Sequence, residues 1–480
     1  MGQALNFSKA HQNDAAQNAR LDALLERFYG FYQNEIDLGL SRIAHVLGLL
    51  ENPQNDIAPA VHIAGTNGKG STLAFLQAIL QGEGQRIHKM SSPHLVSFHE
   101  RLYVSGAFIT TQDLLTLLEG LEPLYKENEV SFFEAVTAAT YKVFSDNPAD
   151  FCLIETGMGG RFDATNVIEK PALTIITTIS RDHENFLGSD IAKIAWEKAG
   201  ILKAGVPCIV APQIFPEALD VIRKVADEVG APLYCAGQDW FIDNDQSGNA
   251  CLFLEPKHGW PINEAIHILP ALPLDGQHQY GNAAAALLGA KILLSQKRQE
   301  NVSIAHLCAH LQNTKWPARM QCLDRHPYKA LIDQRDALWL DGAHNDSAAL
   351  ALAVHLRKWK AEEDCAIYMV AGMINTKNPE VFFAPLRGCL DGIASVPVPS
   401  DWRGFSAGEL LDIACPDKSG AGENTCQRLG AYENVEEALD YIAQNIHARS
   451  DKKAYYLICG SLYLAGSVLG ADEHAENYFS

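Results

Sequence analysis

The chain has 480 residues, 47% of them hydrophobic, which is material for two or three domains with sizeable buried cores. Its 38 Lys+Arg against 58 Asp+Glu leave a net charge of −20, which argues against wrapping nucleic acid or lying on an anionic membrane, since both ask for a basic surface. No apolar stretch approaches the ~20 residues that a membrane crossing needs, and any anionic substrate requires a local positive pocket.

The 11 cysteines are scattered singly, mostly inside apolar runs such as Phe151-Cys152-Leu153-Ile154, with no metal-ligand or redox spacing. They read as buried thiols of a reducing compartment. The start, Met1-Gly2-Gln3-Ala4-Leu5-Asn6, has no apolar signal core, and the expected location is the cytoplasm.

Residues 1–20 are polar and predict a frayed or loosely helical segment; apolar residues then recur at helical spacing to Leu50, predicting one or two helices. Short β-rich runs at 60–64, 86–90, 151–154, 173–179 and 206–210 alternate with helical patterns, which implies a parallel sheet covered by helices on both faces. Residues 237–261 read as an irregular loop or hairpin insertion. After Lys315 a second series follows, with candidate strands at 337–340, 366–371, 393–398 and 455–459, and a domain junction is placed near Trp316-Pro317.

Four strand ends carry the chemistry. After residues 60–64 come Gly65, Thr66, Asn67, Gly68, Lys69, Gly70 and Ser71, a glycine-rich turn into a helix beginning near Ser71. Such a turn can aim backbone N–H groups and a helix N-terminus at phosphates, with Lys69 reaching the outer ones. It is not the literal phosphate-loop pattern, because Ile63 and Gly70 stand where Gly and Ser or Thr belong.

Next, Ser92 follows residues 86–90 and could offer a hydroxyl to Mg²⁺, although a Ser-Ser-Pro turn alone is ordinarily just a turn. Glu155 ends the run 151–154 ahead of Gly157-Met158-Gly159-Gly160-Arg161, as a nucleotide site places a metal-holding carboxylate. Ser180-Arg181-Asp182-His183 follows residues 173–179, where a lone His is more often structural. In a doubly wound sheet all these carboxyl ends face one crevice, so their joint placement points to a ligand site.

Lys198 precedes a glycine helix stop, and Asn282 reads as part of a capped helix start. Arg319, just past the junction, and Asp341, at the first firm strand end of the second domain, would pass alone as loop residues.

Together these residues resemble the folylpolyglutamate synthase/dihydrofolate synthase branch of the Mur-type ATP-dependent amide ligases, from Ile36 to Gly466. The resemblance implies an α/β fold with an N-terminal P-loop-type ATPase domain, residues 1–316, built on a mostly parallel sheet, and a smaller Rossmann-like α/β domain, residues 317–480. It implies that residues 65–71, with Asn282, Arg319 and Asp341, bind ATP, and that Ser92, Glu155 and His183 hold Mg²⁺. Lys198 matches a lysine that is carbamylated in relatives and would serve a second Mg²⁺. Phe132, Phe133, Glu134, Phe162, Asp163 and Ala164 match pterin-side contacts, with Lys69, His183 and Lys198 as the catalytic set. His99, and Ile374-Asn375-Thr376-Lys377-Asn378, depart from the commoner family residues.

The activity so implied is ligation of L-glutamate to dihydropteroate, and to the tails of reduced folates, through an acyl phosphate. Substrates are then small molecules, with no nucleic-acid or membrane partner, and the enzyme is expected to be a monomer. A muropeptide ligase of the same superfamily is the alternative, and a nucleotide-binding switch that ligates nothing is the rival from another class.

Overall fold

The computed structural model describes residues 15–31, 39–182, 186, 188–255, 266–399, 404–416, 426–447 and 451–479. The chain divides into two compact units: residues 1–179, 190–271 and 281–314 make the first, and 180–189, 272–280 and 315–480 the second. A single junction at 316 does not account for the two short segments, 180–189 and 272–280, that group with the second unit.

The first unit is built on an eight-stranded sheet. Its strands are β1 (Ala60–Ala64), β2 (Ile87–Met90), β3 (Leu102–Val104), β4 (Ala107–Phe108), β5 (Phe151–Glu155), β6 (Leu173–Ile176), β7 (Cys208–Val210) and β8 (Leu233–Cys235), in the spatial order β4-β3-β2-β5-β1-β6-β7-β8. β2, β5, β1, β6, β7 and β8 run parallel, and β3 and β4 add an antiparallel edge. Every residue of β1, β2, β5, β6 and β7 is buried, as a sheet covered on both faces requires.

Register fixes the site. Met90 pairs with Ile154, Ile63 with Glu155 and Ala64 with Ile176, so β2, β5, β1 and β6 end side by side. β6 stops at Ile176 rather than running to 179, because the next residues serve the neighbouring turn. Thr177 N donates to Ala64 O, and the Thr178 oxygen accepts from both Thr66 N and Asn67 N.

The helix Ala15–Gly30 buries Leu21, Leu24 and Phe28, one stripe of its surface, in the same core as Leu114, Leu118 and Tyr125 of the helix Thr111–Glu127. The insertion takes its hairpin form: β9 (Trp240–Asn244) and β10 (Ala250–Leu254) pair antiparallel, with β11 (Ile266–Ile268) on the other side of β10.

The second unit holds a six-stranded sheet of β12 (Gln321–Cys322), β13 (Ala337–Leu340), β14 (Ala366–Ala371), β15 (Gly392–Ser395), β16 (Gln427–Ala431) and β17 (Ala454–Cys459), ordered β12-β13-β17-β14-β15-β16. Only the edge strand β12 is antiparallel among the described residues. β14 and β17 are buried throughout and anchor a core with Leu352, Leu356, Phe382 and Phe383.

Candidate active site

The glycine-rich turn follows β1 directly. Gly65 has φ +153°, and a Cβ there would lie 1.8 Å from Thr177 Oγ1; Gly68 has φ +89°, and its Cβ would meet Asn282 Oδ1 at 2.5 Å. Only glycine fits both positions. The helix begins at Lys69, two residues earlier than expected, with Gly68 as its N-cap and Thr72 N → Gly68 O as its first turn.

That changes which amides can face a phosphate. Thr66 N and Asn67 N are committed to Thr178 O, whereas Lys69, Gly70 and Ser71 occupy the first helical turn, where N–H groups have no intrahelical acceptor. The part of the turn with amides open to an anion is therefore its helical half. Lys69 Nζ folds back over the other half, donating to Gly65 O at 3.2 Å and Thr66 O at 3.3 Å, and lies 3.9 Å from Glu155 Oε1.

Glu155 is buried at the end of β5. Its Oε2 accepts from Ser92 N at 3.4 Å, which brings the serine after β2 against the carboxylate after β5. Lys198, buried at the end of the helix Ile191–Lys198, donates to Gly65 O at 2.9 Å. Ser92, Glu155, Lys69 and Lys198 thus gather at one turn, and Asn282 abuts it at Gly68. His183 lies outside the described residues.

The turn after β5 is held from two sides. Arg161 N donates to Glu197 O at 2.7 Å, and its guanidinium stacks 3.7 Å over the Trp196 ring. A Cβ on Gly160 would strike Glu197 O at 2.8 Å, so this turn docks on the helix that carries Lys198. Arg161 and Trp196 are positioning residues that sequence spacing alone does not connect.

Of the residues matched to substrate contacts, Phe133 lies against Gly157, where a Cβ would come 2.4 Å from the ring. Phe132 stacks on Tyr29 with centroids 3.8 Å apart, and Phe162 is exposed. The two acids have structural work. Glu134 closes a capping box with Ser131 and pairs with Arg42 at 2.7 Å. Buried Asp163 accepts from Met158 N at 2.8 Å, Thr165 N at 3.0 Å and Thr165 Oγ1 at 2.5 Å, and caps the turn containing Ala164. Burial raises its pKa against those hydrogen bonds.

Sequence spacing also gave no sign of Lys89. It is buried on β2, and burial pushes its pKa down to about 8 although Glu100 and Glu155 pull the other way.

In the second unit, Asp341 follows β13 and ties two loops, accepting from Met320 N and Ala343 N at 2.7 Å each. Arg319 Nη1 donates to Ala318 O at 2.8 Å and leaves no room for a Cβ on Gly342. Asp182 pairs there with Lys377, with His344 Nε2 at 3.5 Å and Asn345 Nδ2 at 3.4 Å.

The family model for the Mur ligase middle domain matches residues 63–290, which span the turn, Ser92, Glu155, Lys198 and Asn282. The chain is accordingly an ATP-dependent ligase of the Mur type. A second model, dihydrofolate synthetase, C-terminal domain, matches residues 324–471. Over 327 residues the chain is 35% identical to the dihydrofolate synthase/folylpolyglutamate synthase of Bacillus subtilis, covering 67% of this chain and 72% of that one. It belongs to the dihydrofolate synthase/folylpolyglutamate synthase family.

Two solved structures share the fold. Escherichia coli FolC in complex with DHPP and ADP matches with a TM-score of 0.76 at 26% identity, over 96% of this chain and 98% of that one. The bifunctional folylpolyglutamate synthase/dihydrofolate synthase of Yersinia pestis, complexed with AMPPNP and Mn, matches with a TM-score of 0.75 at 27% identity, over 95% and 97%.

Proposed function

We propose that the chain ligates L-glutamate to dihydropteroate, giving dihydrofolate, and to the polyglutamate tails of reduced folates, with ATP converted to ADP and phosphate. The observation that carries this reading is the meeting of Ser92, Glu155, Lys69 and Lys198 at one glycine turn. Support comes from the Bacillus subtilis relative, whose name pairs both activities, and from the DHPP and ADP held by the E. coli protein.

A carboxylate is a poor electrophile, so amide formation needs it activated. Transfer of the γ-phosphoryl group onto the pteroate or tail carboxylate gives an acyl phosphate and ADP; the glutamate amine attacks its carbonyl carbon, and phosphate leaves. The Lys69, Gly70 and Ser71 amides cradle the phosphates, and the Lys69 ammonium offsets charge on the transferred group. Asn282, Arg319 and Asp341 take the rest of the nucleotide. Exclusion of water protects the acyl phosphate from hydrolysis.

The hard oxygen donors of Glu155 and Ser92 fit Mg²⁺ and would hold it together with His183, and a carbamate on Lys198 would add a carboxylate for a second ion. Bound Mg²⁺ neutralises phosphate charge. Phe132, Phe133, Phe162 and Ala164 line the pteroate side; Glu134 and Asp163 support its walls through the hydrogen bonds they already make. The enzyme works as a cytoplasmic monomer.

Purified protein given ATP, Mg²⁺ and L-glutamate should release ADP with dihydropteroate and with a reduced folate, and with no muramyl acceptor. ADP release on muramyl substrates alone would overturn the reading. ATP binding with no acceptor-stimulated phosphate release would make the chain a switch.

A further inference from the structure

At the far end of the helix Lys69–Gly82, roughly 20 Å along its axis from the glycine turn, three side chains of metal-ligating type converge. Glu83 Oε1 lies 2.9 Å from His306 Nε2 and 2.8 Å from His310 Nε2. We propose that Glu83, His306 and His310 form a binding site for one transition-metal ion of the zinc class.

The two histidines sit four residues apart on consecutive helical turns, Ile304–Cys308 and Ala309–Asn313, so both rings project from one face. The carboxylate comes from a separate element, the residue that caps Lys69–Gly82. Two imidazoles and one carboxylate are a donor set that suits zinc, with a fourth position left for water.

The surroundings look built for this arrangement. His310 occupies the space above Gly82, where a Cβ would fall 2.2 Å from its Nδ1, so only glycine admits the ring. Arg298 Nη1 holds the other carboxylate oxygen at 2.8 Å, which leaves Oε1 aimed between the histidines. Burial works to raise the Glu83 pKa, but the bonds from His310 and Arg298 outweigh it and hold the carboxylate ionised. The His306 side chain is 65% exposed and gives an ion its way in.

Tetrahedral zinc, with bonds of about 2.0–2.1 Å, holds its donors about 3.3 Å apart. The rings therefore retreat from Oε1 by about half an ångström, a shift that side-chain rotation supplies. A bound ion would staple the helix bearing the phosphate turn to the segment 304–313 and stabilise the first unit without touching the chemistry.

The full-length protein, stripped with a chelator, is titrated with Zn²⁺ and separately with Co²⁺. His306→Ala, His310→Gln and Cys322→Ser are run alongside, the last because Cys322 is the exposed thiol. One equivalent of Zn²⁺ should bind and raise Tm, with visible Co²⁺ absorption of a low-coordinate site. Affinity should fall about 100-fold in both histidine variants and stay unchanged in C322S. Because His306 is exposed, H306A keeps the fold, and its ligase rate without added zinc should equal that of the parent. No uptake by the parent protein, or equal affinity in H306A, overturns the proposal and leaves the cluster a hydrogen-bonded ion pair.

Discussion

The Nζ of Lys198 donates to the backbone oxygen of Gly65 at 2.9 Å, joining the end of one helix to the first residue of the phosphate turn across 133 positions of chain. On the proposed function that buried ammonium neutralises phosphate or carries a carbamate, and a carbamate would keep an N–H for Gly65 while extending a carboxylate beyond it. Lys198→Ala should cut kcat by about 100-fold with ADP affinity nearly intact. Mass spectrometry under bicarbonate should find one added CO₂ on the parent and none on the variant. An unmodified parent at full activity would sink the carbamate and leave the cation.

Lys69 lies 3.9 Å from Glu155 and within 3.3 Å of two turn carbonyls, so one ammonium reaches both the glycine turn and the carboxylate after β5. Lys69→Ala should abolish turnover, with a loss of at least about 100-fold in kcat. Near-normal ADP release with full substrates would contradict its assignment. Glu155→Gln keeps the shape and removes the charge, so its defect should resist any rise in ATP and respond instead to Mg²⁺ concentration.

Gly68→Ala tests the turn itself. At φ +89° a side chain is strained by about 1–2 kcal/mol, and the new methyl would meet Asn282 Oδ1 at 2.5 Å. Denaturant unfolding should show that loss. The KM for ATP should rise more than the KM for glutamate, because the displaced amide abuts the nucleotide turn; equal changes in both would count against Asn282 as an ATP contact.

Much of the first unit was legible because β1 and β5 are short, wholly buried runs that end in Gly65 and Glu155. Edges were not. β16 has only Leu429 buried, so no apolar run marks it, and β3 owes its place to pairing with β2, and β4 to pairing with β3, rather than to their own sequence. Within the site, the turn and the carboxylate carry local signatures, whereas the roles of Thr178, Arg161 and Trp196 exist only through contacts between distant segments. Glu134 and Asp163 show the converse: each sits in a suggestive string, yet each carboxylate is engaged in capping.

Acid sensitivity follows from His62 in the middle of β1. Burial, and then the Lys203 charge, push its pKa down to about 3, and its Nε2 meets Thr165 Oγ1 at 2.8 Å. The unfolded ring titrates near 6.5, so between the two values the unfolded state binds the extra proton. This contribution is complete above about pH 6.5 and is lost as pH falls toward 3, at up to about 1.4 kcal/mol per pH unit. Urea unfolding at a series of pH values should show stability dropping below neutrality, and His62→Gln should flatten that slope. An unchanged slope would place the acid sensitivity elsewhere.

Gly157→Ala separates the two halves of the reaction. A methyl there would come 2.4 Å from the tip of the Phe133 ring, which must then swing aside, whereas the phosphate turn makes no such contact with Gly157. If Phe133 lines the pteroate side, the KM for dihydropteroate should rise by about tenfold, the equivalent of roughly 1.4 kcal/mol, while ADP affinity stays the same. A reduced folate whose reacting carboxylate sits at the end of a glutamate tail meets the same wall with its pterin, so its KM should rise in parallel. A rise confined to dihydropteroate would mean that the two acceptors enter along different walls. A loss of ADP affinity would mean that the turn after β5 moves as one body with the nucleotide site, and that Phe133 braces Glu155 instead of touching substrate.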